Sequence, residues 1–260
     1  AIEGAARQVC VETSACVPDE ISTEIATVAD ALRAAPRRIP GIDQLLTEGV
    51  FITTAQTFVQ SGDMGFLSAV SEAAAGNLGA LDPFVSPTLS QVGSSDPVGD
   101  SYTLGAAVTC NDYVFPYSLT DSIDVRHAAF EAALTALPDT AFAPFSKQGW
   151  VDASWDHPDE CLDWPVANVP AALRLPRHQP IPSIPTLVIN GDLDLQTPLE
   201  SAELATAAFP NAVLLAVHNA PHAVIPVSPC ALGVTVDFLR TGNLPSSDAC
   251  ADQPVALGGG

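Results

Sequence analysis

The sequence predicts an α/β fold in which a largely helical region is followed by the last strands and helices of a parallel sheet. Apolar residues recur at helical spacing over most of residues 1–160. After Pro182 the chain reads as strand, helix, strand, helix, a pattern typical of a parallel sheet. An acidic turn follows the first strand and a histidine-containing loop follows the second, so this last segment also holds the candidate chemistry.

The composition excludes several kinds of partner. Nine Lys and Arg oppose thirty Asp and Glu, which gives a formal net charge of −21. Because such a charge repels phosphate backbones and anionic membranes, nucleic acid is not an expected partner. No apolar run approaches the roughly 20 residues that span a bilayer, and residues 1–10 lack a signal-peptide pattern. We therefore expect a soluble chain without a membrane span, whose export signal was removed or lay upstream.

The cysteines predict disulfides rather than a metal site. They are Cys10, Cys16, Cys110, Cys161, Cys230 and Cys250. None shows CxxC spacing or a histidine at zinc-ligand distance. Proximity in sequence favours Cys10 with Cys16 and Cys230 with Cys250, which leaves Cys110 with Cys161. Disulfides imply a secreted or otherwise extracytoplasmic protein; the alternative is a cytosolic protein with six buried free thiols.

The first helices can be placed by their apolar spacing and their stop signals. Asp19 can cap a helix that ends before the Pro- and Gly-containing residues 36–41. Its apolar positions recur at three and four, namely Ile21, Ile25, Val28, Ala29 and Leu32. Further helices are expected at Asp43–Gln60 and Asp63–Ala75, the second ending before a Gly-Asn pair.

The middle of the chain is less regular. Residues 79–100 contain turn formers without a period, which predicts a long loop. Helices are expected at Ser101–Cys110 and Asp121–Leu137. The second has one face formed by Ile123, His127, Phe130 and Leu134. Residues 143–182, which hold all three tryptophans, predict a crossing segment with little regular structure.

The segment after Pro182 contains two strands and two helices. Strands are predicted at Thr186–Ile189 and Ala212–Val217, and helices at Leu199–Phe209 and Cys230–Arg240. For the first helix, Thr197, Pro198 and Glu200 match a capping box with proline at the first helical position. For the second, Ser228 and Pro229 repeat the start signal and Gly242 ends the helix. The tail, Ala251–Gly260, is expected to be disordered.

Asp194 and His222 are the strongest candidate catalytic pair. Each follows a strand, and a triad needs an acid that holds one imidazole nitrogen of a histidine on a loop. Asp192 competes as the acid and His218 as the histidine. Without further information, a capping aspartate and an ordinary loop histidine explain the residues equally well.

In a hydrolase whose acid and histidine follow successive strands of a parallel sheet, the nucleophilic serine should precede the acid along the chain. The sequence contains no GxSxG motif that could supply it. The nearest approach is Gly99-Asp100-Ser101-Tyr102-Thr103, where threonine replaces the second glycine and no buried strand precedes the serine. Ser101 is therefore predicted to cap a helix rather than to act as a nucleophile.

The other polar candidates are weaker. His127 is expected to be an ordinary helix histidine, and His157 and His178 lie among prolines. The sequence lacks a glycine-rich phosphate loop, so we expect no nucleotide cofactor, and the cysteine spacing supports no metal. The acidic residues Asp82, Asp96 and Asp100 could bind a substrate ammonium group, although a solvated acidic face explains them as well.

Six sequence blocks, taken together, resemble a known family. They are Val108-Thr109-Cys110-Asn111-Asp112, Cys161-Leu162-Asp163-Trp164-Pro165, Pro185 to Pro198 with GDLDLQTP, Asn219-Ala220-Pro221-His222, Pro229-Cys230-Ala231, and Leu244-Pro245 followed by Cys250. In this order they resemble the secreted actinobacterial α/β-hydrolases of the tripeptidyl aminopeptidase type, in the prolyl-aminopeptidase group of serine peptidases.

This resemblance implies an α/β-hydrolase fold with Asp194 as the catalytic acid and His222 as the catalytic histidine. It also implies the cysteine pairing that proximity favours. Residues 1–180 would form a helical cap with the crossing segment, and residues 181–250 would form the C-terminal hydrolase segment. The sequence departs from the family in Pro221, which precedes the histidine, and in lacking the early strands and the serine elbow, so it resembles a C-terminal half.

The function that the resemblance implies is a serine hydrolase that releases short peptides from free N-termini. This chain would supply the acid, the histidine and the cap, and the missing half of the enzyme is an expected partner. Two alternatives remain, a carboxylesterase on the same fold and a non-catalytic, disulfide-stapled domain that binds a partner. The absent serine favours the second alternative, whereas the Asp194 and His222 pattern favours an enzyme.

Overall fold

A computed structural model describes residues 1–93, 102–153, 159–165 and 182–258 of the chain. Its contacts divide the chain into two compact units. The first unit comprises Ala1–Glu24, Ala55–Asn77 and Pro176–Gly260, and the second comprises Ile25–Thr54 and Leu78–Leu175. The first unit thus combines segments from both sides of residue 180. That residues 1–180 act as a cap stays a prediction.

The described residues form eleven α-helices and four short strands. The helices are α1 (Ile2–Thr13), α2 (Ile21–Ala34), α3 (Glu48–Gln60), α4 (Met64–Ala74), α5 (Asp82–Gly93), α6 (Tyr102–Asp112), α7 (Ile123–Ala136), α8 (Lys147–Ala153), α9 (Leu199–Ala208), α10 (Val224–Val227) and α11 (Pro229–Thr241). The strands are β1 (Arg37–Arg38), β2 (Leu45–Leu46), β3 (Thr186–Gly191) and β4 (Ala212–Val217). Two 3-10 helices, Leu78–Leu81 and Glu160–Asp163, complete the regular structure of these residues.

The first unit contains the parallel pair that the sequence predicts. Strands β3 and β4 pair in parallel from Thr186 opposite Ala212 to Gly191 opposite Val217. A parallel pair requires a crossover connection, and α9 supplies it. The core beside the sheet is formed by Leu215, Val217, Ala220, Val224, Ala231 and Cys250. This core lies directly under the loop that follows β4, so it supports the candidate site.

The second unit is held by buried charges and one disulfide. Glu48 is buried and accepts hydrogen bonds from Arg33 and Ser146. The buried guanidinium of Arg126 on α7 donates to the backbone carbonyls of Leu119, Asp121, Leu162 and Trp164. Cys110 on α6 is bonded to Cys161 of the second 3-10 helix. One set of contacts thus joins Arg33, Glu48 and Ser146, and the other joins α6, α7 and the second 3-10 helix.

Several predicted elements are confirmed with their physical reasons. The apolar positions of α2 are all fully buried, as the spacing of three and four requires. Helix α4 begins after Asp63, whose carboxylate accepts the N–H of Phe66. Helix α11 begins after Ser228, which accepts the N–H of Ala231, and ends at Gly242 with φ of 70°. The disulfides Cys10–Cys16, Cys110–Cys161 and Cys230–Cys250 are those that sequence proximity favours.

The predicted long loop at residues 79–100 is wrong over its first part, where the structure has α5. Proline in this helix removes a backbone hydrogen bond and normally disfavours a helix. Val85 and Thr88 are buried three residues apart in this helix, and Leu81 of the preceding 3-10 helix is buried four residues before Val85, so burial along this side offsets the cost of Pro87. The remainder of the predicted loop, residues 94–100, lies outside the described residues.

Three further predictions need correction. The helix expected from Asp43 begins at Glu48, because Leu45–Leu46 pairs with Arg37–Arg38 as a small antiparallel ladder. The predicted face of α7 is exposed at Ile123 and His127 and only half-buried at Phe130 and Leu134, because the helix is held through Arg126 instead. The tail is placed as far as Gly258, because Val255 packs on the core and its N–H donates to the carbonyl of His218.

Candidate active site

The ends of β3 and β4 bring the two candidate loops into direct contact. The last pair of the parallel register is Gly191 opposite Val217, so Asp192 and His218 leave the sheet at the same level. The N–H of Leu193 donates to the carbonyl oxygen of Ala220 at 3.1 Å. A Cβ on Gly191 would lie 2.0 Å from that same oxygen. Glycine is therefore required here by the close approach of the second loop.

Asp194 is a buried carboxylate whose oxygens are saturated with hydrogen-bond donors. Oδ1 accepts the backbone N–H groups of Gln196 at 2.9 Å and Thr197 at 2.8 Å. Oδ2 accepts the Thr197 hydroxyl at 2.8 Å and lies 2.9 Å from Nδ1 of His222. The side chain is only 4% exposed. A buried carboxylate whose oxygens all accept hydrogen bonds is held in one orientation.

His222 is positioned by Asp194 on one ring nitrogen and open on the other. Nδ1 faces Asp194, and the side chain is 43% exposed. Nε2 has no hydrogen-bond partner among the residues that the structure describes. The next residue, Ala223, has φ of 61°, a left-handed conformation that costs a non-glycine residue about 1 kcal/mol or more. A histidine held at Nδ1 with a free Nε2 has the arrangement of a general base.

Asp192 and His218 form a second acid–imidazole pair beside the first. His218 Nδ1 lies 2.5 Å from Asp192 Oδ2, and His218 Nε2 lies 3.5 Å from Glu12 Oε1. The hydrogen bond to Asp192 raises the pKa of His218, with Glu12 adding to this effect against partial burial. Both nitrogens of His218 thus face carboxylates. This ring is not free to take a proton from a substrate or a nucleophile.

The two pairs distinguish the alternatives that the sequence left open. The acid that holds an imidazole with a free nitrogen is Asp194, and the imidazole is His222. Asp192 also accepts the backbone N–H of Asn219 at 2.7 Å, so it holds the backbone of the loop. The histidine that it contacts, His218, has carboxylates at both ring nitrogens. The geometry therefore favours Asp194 and His222 as the pair that can do proton-transfer chemistry, and their catalytic role remains a proposal.

Thr197 is a site residue that sequence reasoning interpreted differently. Its hydroxyl does not cap α9, which has Pro198 at the N-cap and no side-chain cap bond. The hydroxyl donates to Asp194 instead and also lies 3.3 Å from His222 Nδ1. An N-cap hydroxyl accepts a helix N–H, whereas this hydroxyl donates its hydrogen to a charged oxygen of a buried carboxylate, which is a strong acceptor. The three-residue spacing from Asp194 to Thr197 was the signal that could have indicated this contact.

The remaining candidates lie elsewhere or outside the described residues. His127 forms an exposed pair with Asp163 at 3.2 Å in the second unit. Asp82 is paired with Arg37 and is not an open ammonium site. Ser101, Asp96, Asp100, His157 and His178 lie outside the described residues. Sequence reasoning missed Glu12, which nothing in the spacing of the strands could indicate because it lies on α1.

The described residues contain no group of three or more His, Cys, Asp or Glu side chains arranged to hold a metal ion. In the described part of the chain, no helix is long and apolar enough to cross a bilayer.

Comparison with known proteins finds a family that is similar to the last part of the chain. Residues 147–251 match the family model described as TAP-like protein, which belongs to the α/β-hydrolases. No significant match was found among curated proteins or among solved structures. The match includes β3, β4, Asp194, His222 and the Cys230–Cys250 disulfide, and covers less than half of the 260 residues. Residues 147–251 are therefore similar to the TAP-like family of α/β-hydrolases.

Proposed function

We propose that this chain is part of an exported serine hydrolase that releases short peptides from free N-termini. In this proposal Asp194 is the catalytic acid and His222 is the catalytic histidine. The observation that carries the proposal is the contact of Asp194 Oδ2 with His222 Nδ1 at 2.9 Å, while Nε2 has no hydrogen-bond partner in the described part of the chain. The match of residues 147–251 to a hydrolase family supports the same reaction class.

The proposed roles follow from the geometry. His222 Nε2 would take the proton of a serine hydroxyl as the hydroxyl attacks a carbonyl carbon, and would then return it to the leaving amine. The positive charge that develops on the ring lies beside a buried carboxylate. Asp194 would stabilise this imidazolium and fix the tautomer in which Nδ1 carries a hydrogen. The hydrogen bonds from Gln196 and Thr197 hold the carboxylate in the required orientation.

The serine is proposed to come from a polypeptide outside these 260 residues. The sequence contains no GxSxG, and the residues before Ser101 have the composition of a loop and not that of the strand that precedes a serine elbow. A hydrolase half with the early strands and the oxyanion loop would bring the serine to Nε2 of His222. Export is part of the proposal because three disulfides are formed, and disulfides persist in oxidising compartments.

The first test is covalent labelling with a fluorophosphonate. The isolated chain should not react, whereas the chain co-expressed with a serine-bearing half of a TAP-like hydrolase should be labelled on that half. Labelling of Ser101 in the isolated chain would overturn the proposed source of the nucleophile. Absence of labelling in a stable complex of the two halves would contradict the catalytic proposal and favour a non-catalytic binding domain.

The second test uses hydrolysis rates of the reconstituted enzyme. Asp194→Asn should lower kcat by roughly 10⁴-fold, the loss found when a triad acid is replaced by its amide. The matched control is Asp163→Asn, which removes the partner of the exposed His127 and should leave the rate unchanged. Equal rates for wild type and Asp194→Asn would refute the role of Asp194.

The substrate class needs its own comparison, because a triad does not distinguish amides from esters. Tripeptidyl amides with a free N-terminus, the same amides acetylated at the N-terminus, and simple aryl esters should be compared on the reconstituted enzyme. The proposal predicts turnover of the free tripeptidyl amides and a loss on acetylation. Turnover of esters alone would identify a carboxylesterase.

A further inference from the structure

The pair formed by Asp192 and His218 has no role in the proposed proton transfer, although it lies at the ends of the same two strands. It is nevertheless tightly made, with 2.5 Å between Asp192 Oδ2 and His218 Nδ1. Asp192 is 24% exposed and His218 is 43% exposed at the side chain. A partly exposed ion pair by itself contributes little to the free energy of unfolding. Its other contacts indicate what this pair does.

Asp192 joins the end of β3 to the start of the His222 loop. Its second oxygen, Oδ1, accepts the backbone N–H of Asn219 at 2.7 Å, so one carboxylate holds the ring of one residue and the backbone of the next. Asn219 is buried and has φ of 59°, the left-handed conformation that turns the chain out of the strand. Three residues later the chain reaches His222. The direction of the His222 loop is therefore set at Asn219.

The N-terminal helix α1 completes this assembly from the opposite side. Gln8 Nε2 donates to Asn219 Oδ1 at 3.0 Å, and Glu12 Oε1 lies 3.5 Å from His218 Nε2. Gln8 and Glu12 are four residues apart and so lie on one face of α1. The disulfide Cys10–Cys16 constrains the end of the same helix. Two successive residues of the loop are thus each held once by Asp192 and once by α1.

We propose that Asp192, His218 and Glu12 are positioning residues for His222, which makes helix α1 a component of the candidate active site. This inference rests on the proposed function only for the importance of His222; the positioning itself is a property of the folded chain. The two carboxylates contact opposite nitrogens of one ring, so they cannot converge on a metal ion and instead favour a protonated His218. The imidazolium contacts Asp192 at the end of β3 and Glu12 on α1, and so fixes the start of the His222 loop between these two elements.

The contacts of His218 with Asp192 and Glu12 should depend on pH. Among the described residues, the charged groups that contact His218 are Asp192 and Glu12. Deprotonation of His218 removes the charge that both carboxylates bind and leaves one ring nitrogen without a proton to donate. The His222 loop should then be held less firmly by α1, so the surroundings of the His222 ring should change as His218 titrates.

The test is a histidine NMR titration of the chain itself, with ¹³C-labelled histidine and signals identified from His→Gln variants. In the wild type, the His222 ring signal should show an inflection at the pKa of His218. Glu12→Gln should lower the pKa of His218 and move that inflection to the same lower pH. Glu12 is exposed on its helix, so this variant should fold, and far-ultraviolet circular dichroism should be unchanged.

Asp192→Asn should abolish this inflection and displace the His222 signal, whereas the matched control Asp163→Asn should displace only the signal of His127. The proposal is overturned if the wild-type His222 signal shows no inflection at the pKa of His218, or if this inflection stays in place in Glu12→Gln. Because the readout is the ring signal and not hydrolysis, this inference and the catalytic proposal can fail independently.

Discussion

A Cβ atom on Gly191 would lie 2.0 Å from the carbonyl oxygen of Ala220, so the acid loop and the histidine loop approach each other closely at this residue. No rotamer change can relieve this overlap, because the backbone fixes the position of a Cβ atom and its partner is a backbone oxygen. The same carbonyl accepts the N–H of Leu193. The distance between Asp194 and His222 therefore depends on the absence of a side chain at residue 191.

Replacing Gly191 should separate the two loops. We expect Gly191→Ala to lower the free energy of unfolding by about 2 kcal/mol or more, because the overlap forces a backbone shift. The matched control is Gly233→Ala in α11, where a Cβ meets nothing within 4 Å. That change should instead stabilise the chain by about 0.5–1 kcal/mol. Urea unfolding of both variants gives the comparison, and equal stabilities would contradict the close approach.

Thr197 should matter through its hydroxyl group and not through its shape. Thr197→Val keeps the volume but removes a donor to a buried carboxylate, which should cost about 1–3 kcal/mol of unfolding free energy. Thr197→Ser keeps the hydroxyl and should retain most of that stability. The His222 ring signal should move in the valine variant and stay in place in the serine variant. Similar values for the two variants would assign Thr197 a packing role only.

Glu48 should make the second unit sensitive to acid. Burial alone raises the pKa of this carboxyl, but hydrogen bonds from Arg33 and Ser146 outweigh burial and lower the pKa overall. Because the folded pKa lies below the unfolded one, the stabilisation is present above the unfolded pKa near 4.3 and is lost as pH falls through the folded pKa.

Glu48→Gln should therefore destabilise the chain by about 2 kcal/mol near neutral pH, and this difference should shrink as the pH falls below about 4. The comparison is the urea midpoint of both proteins across that pH range. Asp30→Asn is the control, because Asp30 pairs with the same Arg33 but is 69% exposed. A constant difference at all pH values would show that the carboxylate charge is not the source of the effect.

The Cys230–Cys250 disulfide should stabilise the segment that supports His222. The cysteines are 20 residues apart, and closing such a loop contributes roughly 3 kcal/mol by the loop-entropy relation. The Cys230→Ser, Cys250→Ser double variant should lose about that amount in urea unfolding. The Cys10–Cys16 disulfide closes a loop of only 6 residues, so the matching double variant at these two cysteines should lose less unfolding free energy. The reverse order would contradict the entropic explanation.

Much of the last segment could be predicted from the sequence because its signals are local. Apolar runs with turn residues at their ends determine β3 and β4, and Ser228 with Pro229 and Gly242 determines the limits of α11. Local signals give the wrong prediction at residues 82–93, where two prolines suggest a loop. Burial of Val85 and of the neighbouring Leu81 stabilises a helix there in spite of the prolines. Local propensity gives way wherever a buried face compensates for it.

By itself the sequence determined that an acid and a histidine follow two neighbouring parallel strands, because strand periodicity and glycine placement are properties of short segments. Which acid meets which histidine is decided only by the tertiary structure. Asp192 and His218 occupy equivalent places at the strand ends, and the choice depends on contacts from Thr197, Asn219 and Glu12. Those contacts join residues up to about 200 positions apart, and the spacing of residues along one strand contains no information about them.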